Sequence, residues 1–106
     1  MNEDVLKIIM QIIADSGDSI SCSLAAMNAA ADGEFEEAEM ELKNASESIR
    51  RAHQVHTDLL VKEANQEGVE FSLLLVHASN HLTNAEVSLN FAEQIIRIYA
   101  EVKKNV

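Results

Sequence analysis

The chain has 106 residues, a formal net charge of −10, no Pro or Trp and only three Gly. This length predicts one domain that spans residues 1–106. The eight Lys and Arg are scattered, whereas a nucleic-acid groove or an anionic membrane surface attracts clustered cations, so both kinds of partner are disfavoured. Ala, Leu, Ile and Glu are abundant and no strand-like run is bounded by turn signals, which predicts an all-α fold.

The first residues also argue against a membrane location. Met1 is followed by Asn2, Glu3 and Asp4, the opposite of the cationic start of a signal peptide. No apolar run approaches the ~20 residues that a membrane span requires. We therefore expect a cytoplasmic protein without membrane insertion.

The first predicted helix spans residues 3–31, and Gly17 is expected to lie inside it without splitting it. Its single cysteine, Cys22, cannot form an internal disulfide and has no basic neighbour, so we expect an inert thiol. The apolar positions are loosely spaced. They are Val5, Ile9, Ile12, Ile20, Leu24 and Met27.

The second and third helices are predicted over residues 35–66 and 71–104, because Gly33 and Gly68 supply C-cap positions. Each contains a heptad seam with alternating steps of three and four residues. In the second helix the seam is Phe35, Ala38, Leu42, Ala45, Ile49, Ala52, His56 and Leu59. In the third it is Leu75, Ala78, Leu82, Ala85, Leu89, Ala92, Ile96 and Tyr99.

Short connections between the helices predict an antiparallel up-down-up three-helix bundle. The third helix has more apolar surface than one subunit can cover, because it carries a second heptad stripe. That stripe is Leu74, His77, His81, Asn84, Ser88, Phe91, Ile95 and Ile98. A homotrimer with this helix near the symmetry axis would bury it and leave its polar middle in a crevice.

Four histidines form two pairs at helical spacing. His77 and His81 are four residues apart, and therefore share one face of the third helix. His53 and His56 lie in the second helix. In a hairpin that turns near Gly68, residues equally distant from the turn face each other, so the two pairs are expected to approach.

The residues allow three interpretations of these histidines. They are buried side chains with hydrogen-bond partners, ligands of a metal site between helices, or they include a phosphoryl acceptor. The metal interpretation lacks the Glu-x-x-His and His-Glu-x-x-His motifs. Residue chemistry alone does not separate the last two.

Three segments resemble the lactose/cellobiose-type (also diacetylchitobiose-type) enzyme IIA components of the bacterial sugar phosphotransferase system. Residues 33–38 are similar to the family's Gly-Asp-Phe-x-x-Ala, and Ala52, His53 and Thr57 are similar to its Ala-His-x-x-Gln-Thr. Residues 69–78 are close to the segment that precedes the family's site. The three segments agree in order and spacing over almost the whole chain.

The resemblance implies a homotrimer of three-helix subunits that relays a phosphoryl group. It assigns His77 as the carrier, which accepts the group from the histidine-containing phosphocarrier protein and passes it to a cysteine of the cognate IIB component. His81 matches the motif's second histidine and would assist by hydrogen bonding. The transfer requires no cofactor, because the donor phosphohistidine is already reactive.

The site departs from the family at three positions, two of which lie within the pattern His-Ala-Gln-Asp-His. Ser79 replaces a glutamine, His56 stands where a glutamine is usual, and Asn80 replaces the aspartate that surrounds an axial Mg²⁺ in the family. A neutral amide is a weak ligand for a hard cation, so a trimer with little or no axial metal is predicted. The departures leave open uptake of a sugar other than lactose, or a divergent regulatory trimer without transfer activity.

Overall fold

In the computed structural model, which describes residues 2–105, the chain forms helices α1 (Glu3–Ala31), α2 (Phe35–Ala64) and α3 (Leu73–Lys104). No strand occurs among these residues, so the all-α prediction is confirmed. The helices lie side by side in a rod of 58 × 19 × 18 Å. Gly17 lies within an uninterrupted α1, as predicted.

Local capping explains most helix boundaries. The Asn2 side chain accepts hydrogen bonds from the first-turn amides of α1, and Gly33 adopts a φ of 80° just after α1 ends. The helix α2 ends two residues earlier than predicted, because Gln66 adopts a left-handed φ of 58°. The Ser72 hydroxyl accepts from the Leu75 amide at 3.1 Å and starts α3 two residues later than predicted.

The core consists of two clusters along the rod. The first combines the start of α1, the end of α2 and the start of α3, and includes Ile9, Leu59 and Leu82. The second lies at the opposite end and includes Ala26, Ala38 and Ile96. The buried α2 and α3 members of both clusters belong to the predicted seams, so both helices bury the face that their heptads predicted, except that Tyr99 at the end of the α3 seam is 40% exposed.

The buried face of α1 is different from the prediction. After Ile12 it continues through Ser16, Ser19 and Ser23, all completely buried, whereas Leu24 is 53% exposed. These serines continue the alternating steps of four and three residues that lead to Ile12, so α1 also has a regular seam. A pattern based on hydrophobicity missed this seam because the serines are polar. The Ser19 hydroxyl donates to the Ala45 carbonyl of α2 at 2.9 Å, a contact that requires close approach of the two helices.

Side-chain contacts pair the helices in reverse residue order. Between α1 and α2, Asp15 contacts Arg51 while Ser19 contacts Ala45. Between α2 and α3, His53 contacts Glu86 while His56 contacts Ser79. The helices in the described part of the chain include none that is long and apolar enough to cross a membrane.

Candidate functional site

His77 and His81 are in direct contact on the outer face of α3. Their Nε2 atoms are 3.1 Å apart, a hydrogen-bond distance, and the rings meet edge to face with centroids 4.5 Å apart. His77 is exposed and His81 is half-buried. The four-residue spacing therefore places the imidazoles together, as the sequence predicted.

The surroundings of His81 determine which nitrogen carries its proton. Its Nδ1 atom is buried and has no hydrogen-bond partner among the described residues. A buried N–H without an acceptor is costly, so the favoured tautomer has the proton on Nε2. The His81 Nε2–H then donates to His77 Nε2, which carries a lone pair and is the nucleophilic nitrogen of the pair.

The second histidine pair does not join the first. His53 Nε2 contacts the Glu86 carboxylate, and His56 Nε2 lies 3.2 Å from the Ser79 hydroxyl. Both partners are on α3, so the predicted proximity of α2 to α3 here is correct. The expected approach of the two histidine pairs is not observed, because His56 faces Ser79 and His53 faces Glu86.

A groove lies beside this contact, between the end of α2 and the start of α3. Its volume is about 280 Å³. Its lining is mainly apolar, with His56 and Ser79 among the polar groups. Phe71 borders it and is 87% exposed, so a large aromatic side chain stands uncovered near the groove.

The residues around the site do not fit a metal ion. Within residues 2–105, no group of three or more His, Cys, Asp or Glu side chains is placed to hold one. Asn80, which the resemblance aligns with the family's metal position, is exposed and offers a neutral amide oxygen, whereas a hard cation prefers carboxylates.

The apolar side chains next to His77 differ in exposure. Leu73 is 84% exposed, whereas Leu74 and Val76 are half-buried against the bundle. Further along the same outer face, Phe91 and Ile98 are 63% and 61% exposed. The imidazole pair thus lies on a face with exposed apolar groups on both sides.

The thiol of Cys22 is remote from the histidines in sequence and is not activated. Burial raises its pKa, and the carboxylates of Glu41 and Asp18 raise that pKa further. A nucleophilic cysteine needs a lowered pKa. The prediction of an inert thiol therefore agrees with its surroundings.

Sequence reasoning missed three groups around the site. Ser72 caps α3, Glu86 holds His53 and Phe71 borders the groove. The cap had a sequence signal, since Ser72 precedes three consecutive leucines at the start of a helical pattern. The other two depend on how the helices rotate against each other, for which a single sequence carries no signal.

Comparison with known proteins connects this chain to one family. The family model described as "PTS system, Lactose/Cellobiose specific IIA subunit" matches residues 7–100. The chain is 40% identical over 102 residues to the lichenan-specific phosphotransferase enzyme IIA component of Bacillus subtilis (strain 168). That alignment covers 96% of this chain and 93% of the relative.

Solved structures share the fold over nearly the full length. The cellobiose-specific enzyme IIA from Bacillus anthracis matches with a TM-score of 0.94 and 33% identity, covering 100% of this chain and 97% of that one. A chain of the IIA(Chitobiose)–HPr complex from the N,N'-diacetylchitobiose branch of the Escherichia coli phosphotransferase system matches with a TM-score of 0.83 and 27% identity. The coverage there is 96% of this chain and 99% of that chain.

Proposed function

Because the chain belongs to the lactose/cellobiose-specific IIA family of the sugar phosphotransferase system, we propose that His77 is its phosphoryl carrier. His77 accepts the group from the histidine-containing phosphocarrier protein and passes it to a cysteine of a IIB component. The relay serves uptake of a β-linked disaccharide such as lactose or cellobiose, and operates in the cytoplasm. The observation that carries this proposal is the contact between His77 Nε2 and His81 Nε2.

In the first transfer the lone pair on His77 Nε2 attacks phosphorus in line with the donor's N–P bond. A new N–P bond forms as the old one breaks, and the electron pair of the broken bond stays on the donor nitrogen. The transition state is loose and its negative charge lies on the equatorial oxygens. Catalysis therefore depends on positioning and on hydrogen-bond donors, and no cofactor takes part.

The resting geometry requires a movement before transfer. The His81 N–H lies in the direction of the His77 lone pair that must receive phosphorus. The His77 ring must turn away, which its exposure permits. The freed His81 N–H then donates to a phosphoryl oxygen. The same N–H therefore donates to the His77 ring before transfer and to the phosphoryl group on His77 after transfer.

The second transfer reverses this geometry with a different partner. A IIB thiolate attacks the phosphorus, an S–P bond forms, and the electron pair of the N–P bond returns to His77 Nε2. The net charge of −10 would steer a basic docking surface toward the chain. A relative that is solved in complex with HPr supports the phosphocarrier as the first partner.

The proposed working form is a single-domain, up-down-up bundle assembled as a homotrimer. The reverse order of the contacts between helices supports the antiparallel arrangement. Exposed Phe91 and Ile98 support burial of the outer face of α3 against other copies. His77 would then lie in a crevice between subunits, where docking partners exclude water from the phosphoryl group.

Phosphorylation of the purified protein tests this proposal. Incubation with phosphorylated phosphocarrier should add one acid-labile phosphoryl group per chain, and His77→Ala should remove all labelling. His53→Ala is the matched control and should keep full labelling, because His53 contacts Glu86 and not the carrier. Full labelling of His77→Ala would refute the assignment. An unlabelled wild-type protein that still assembles would indicate a regulatory trimer.

The assistant role of His81 has a separate expected result. His81→Ala should still be labelled, but the transfer rate should fall about 10- to 100-fold, because one preorganised donor to the phosphoryl oxygens is lost. Rapid-quench measurement of the labelled fraction gives this rate. A rate within about twofold of wild type would contradict the role, since that ratio is too small for a lost donor.

A further inference from the structure

His56 and Ser79 form one of only two side-chain polar contacts between α2 and α3 among the described residues. The distance from His56 Nε2 to Ser79 Oγ is 3.2 Å, and one of the two groups donates to the other according to the histidine tautomer. Both side chains are half-buried. Both positions also depart from the family pattern, and here the two departures contact each other.

Apolar packing covers the start of α3 only in part: Leu74 and Leu75 pack against the core but stay half-buried. Phe71 and Leu73 are 87% and 84% exposed, and Ala78 is the first fully buried residue of the helix. The segment before α3 is mostly exposed as well. The contact between His56 and Ser79 therefore adds a polar restraint to a segment that apolar packing covers only in part.

Ser79 lies on the opposite side of α3 from His77. Successive helical residues are about 100° apart, so two positions separate the side chains by about 200°. A bond from Ser79 to α2 fixes the rotation of α3 about its own axis, and thereby the direction in which His77 points. A roll of about 10° moves a side-chain tip about 6 Å from the axis by about 1 Å, which is enough to change a transfer rate strongly.

We infer that His56 and Ser79 are a pair of positioning residues that hold the start of α3 at the rotation that sets the direction in which the His77–His81 pair faces its docking partner. They do not touch the phosphoryl group. The expected effect on the transfer rate rests on the proposed function, whereas the expected effect on the orientation of the imidazole rings does not. Each residue acts through the other, so removing either should have the same effect as removing both.

The test uses the full-length protein and four substitutions. His56→Leu and Ser79→Ala each break the contact, while His56→Gln keeps a group that can hydrogen-bond with Ser79. His53→Leu is the matched control, since it makes the same change one turn away and removes the other polar contact between α2 and α3, which joins side chains that are 51% and 40% exposed and therefore restrains the helices little. Circular dichroism establishes that each variant retains its helices.

Two measurements are made on every variant. The first is the rate of phosphoryl transfer from phosphorylated phosphocarrier, and the second is the ¹⁵N NMR resonances of the His77 and His81 rings. His56→Leu, Ser79→Ala and their double variant should each slow transfer about 3- to 10-fold, the ratio expected for one net hydrogen bond. The ring resonances should move together in these variants. His56→Gln should restore most of the rate, and His53→Leu should change neither measurement.

The outcomes separate the two proposals. If wild-type protein accepts no phosphoryl group, the proposed function fails and the ring resonances alone decide the positioning inference. If it accepts the group but His56→Leu and Ser79→Ala match His53→Leu in both measurements, the positioning inference is overturned and the function stands. Multiplicative rate losses in the double variant would also overturn it, because two independent residues would then be acting.

Discussion

The inner and outer faces of α3 both carry large apolar residues, but only the inner face is buried. Inner residues such as Leu82 and Ile96 are 3% and 4% exposed, whereas Phe91 and Ile98 on the outer face are more than 60% exposed. The inner face needs nothing beyond the subunit. The outer face combines the imidazole pair with apolar surface that the subunit does not cover, so the candidate site and the proposed trimer interface share one surface.

The largest expected effect is on stability, and it follows from a substitution on the inner face of α3. Leu82→Ala should lower the free energy of unfolding by about 2–5 kcal/mol, because it removes buried methyl groups and leaves a cavity. Urea denaturation measures this loss. Leu73→Ala, the same change at a position that is 84% exposed, should stay within about 0.5 kcal/mol of wild type. Equal losses in the two variants would contradict the difference in burial.

The next effect concerns the outer face. Ile98→Ser should weaken the proposed homotrimer by about 1.5–3 kcal/mol for each side chain that loses its burial. Sedimentation over a dilution series should show dissociation at higher concentration than for wild type, with helicity retained. Glu93→Ser, a change of an exposed residue that borders α2 residues, is the control and should leave assembly unchanged. An unaffected Ile98→Ser assembly would exclude this face as the interface.

A smaller effect is expected where α3 begins. Ser72→Ala removes the hydroxyl that caps the Leu75 amide, which should cost about 1 kcal/mol. Hydrogen exchange should become faster in the first turn of α3 and remain unchanged in its second half. Ser46→Ala, at an exposed position within α2, is the control and should accelerate no exchange. Protection that persists in Ser72→Ala would show that the cap contributes little.

The smallest expected effect concerns the boundary between the buried and exposed faces of α1. Cys22 lies at this boundary, between exposed Ser21 and buried Ser23. The raised pKa of its thiol should make iodoacetamide react several-fold more slowly in folded protein than in urea, since the thiolate is the nucleophile. The thiol's contribution to stability is complete below the unfolded-state pKa and is lost as pH rises through the folded-state pKa. Faster reaction in the folded protein would contradict the raised pKa.

Much of the fold was predictable because spacing alone determines it. The heptads of α2 and α3 and the glycines between helices gave three helices with bounds within two residues of those observed. The contact between His77 and His81 follows from their four-residue spacing on a helix. These features are local, so one sequence contains the information.

Other features depend on how the helices meet. The partners of His53 and His56 are set by the rotation of α3 against α2, and the two expected histidine pairs therefore did not converge. The seam of α1 was missed because Ser16, Ser19 and Ser23 are small and polar, and a hydrophobic pattern excludes them. Burial of a hydroxyl is favourable only with a partner or close helix approach, which the sequence does not display.

The seam of serines has a consequence for how this chain selects a single alignment. Alanine-rich heptads repeat so uniformly that sliding one helix by seven residues would preserve most of their packing. The hydroxyl of Ser19 breaks that uniformity, because only one alignment brings it to the Ala45 carbonyl. A buried polar group of this kind adds little binding energy but makes every shifted pairing worse. This hydrogen bond, together with the contact between Asp15 and Arg51, thus favours one longitudinal alignment of the first two helices in an otherwise repetitive interface.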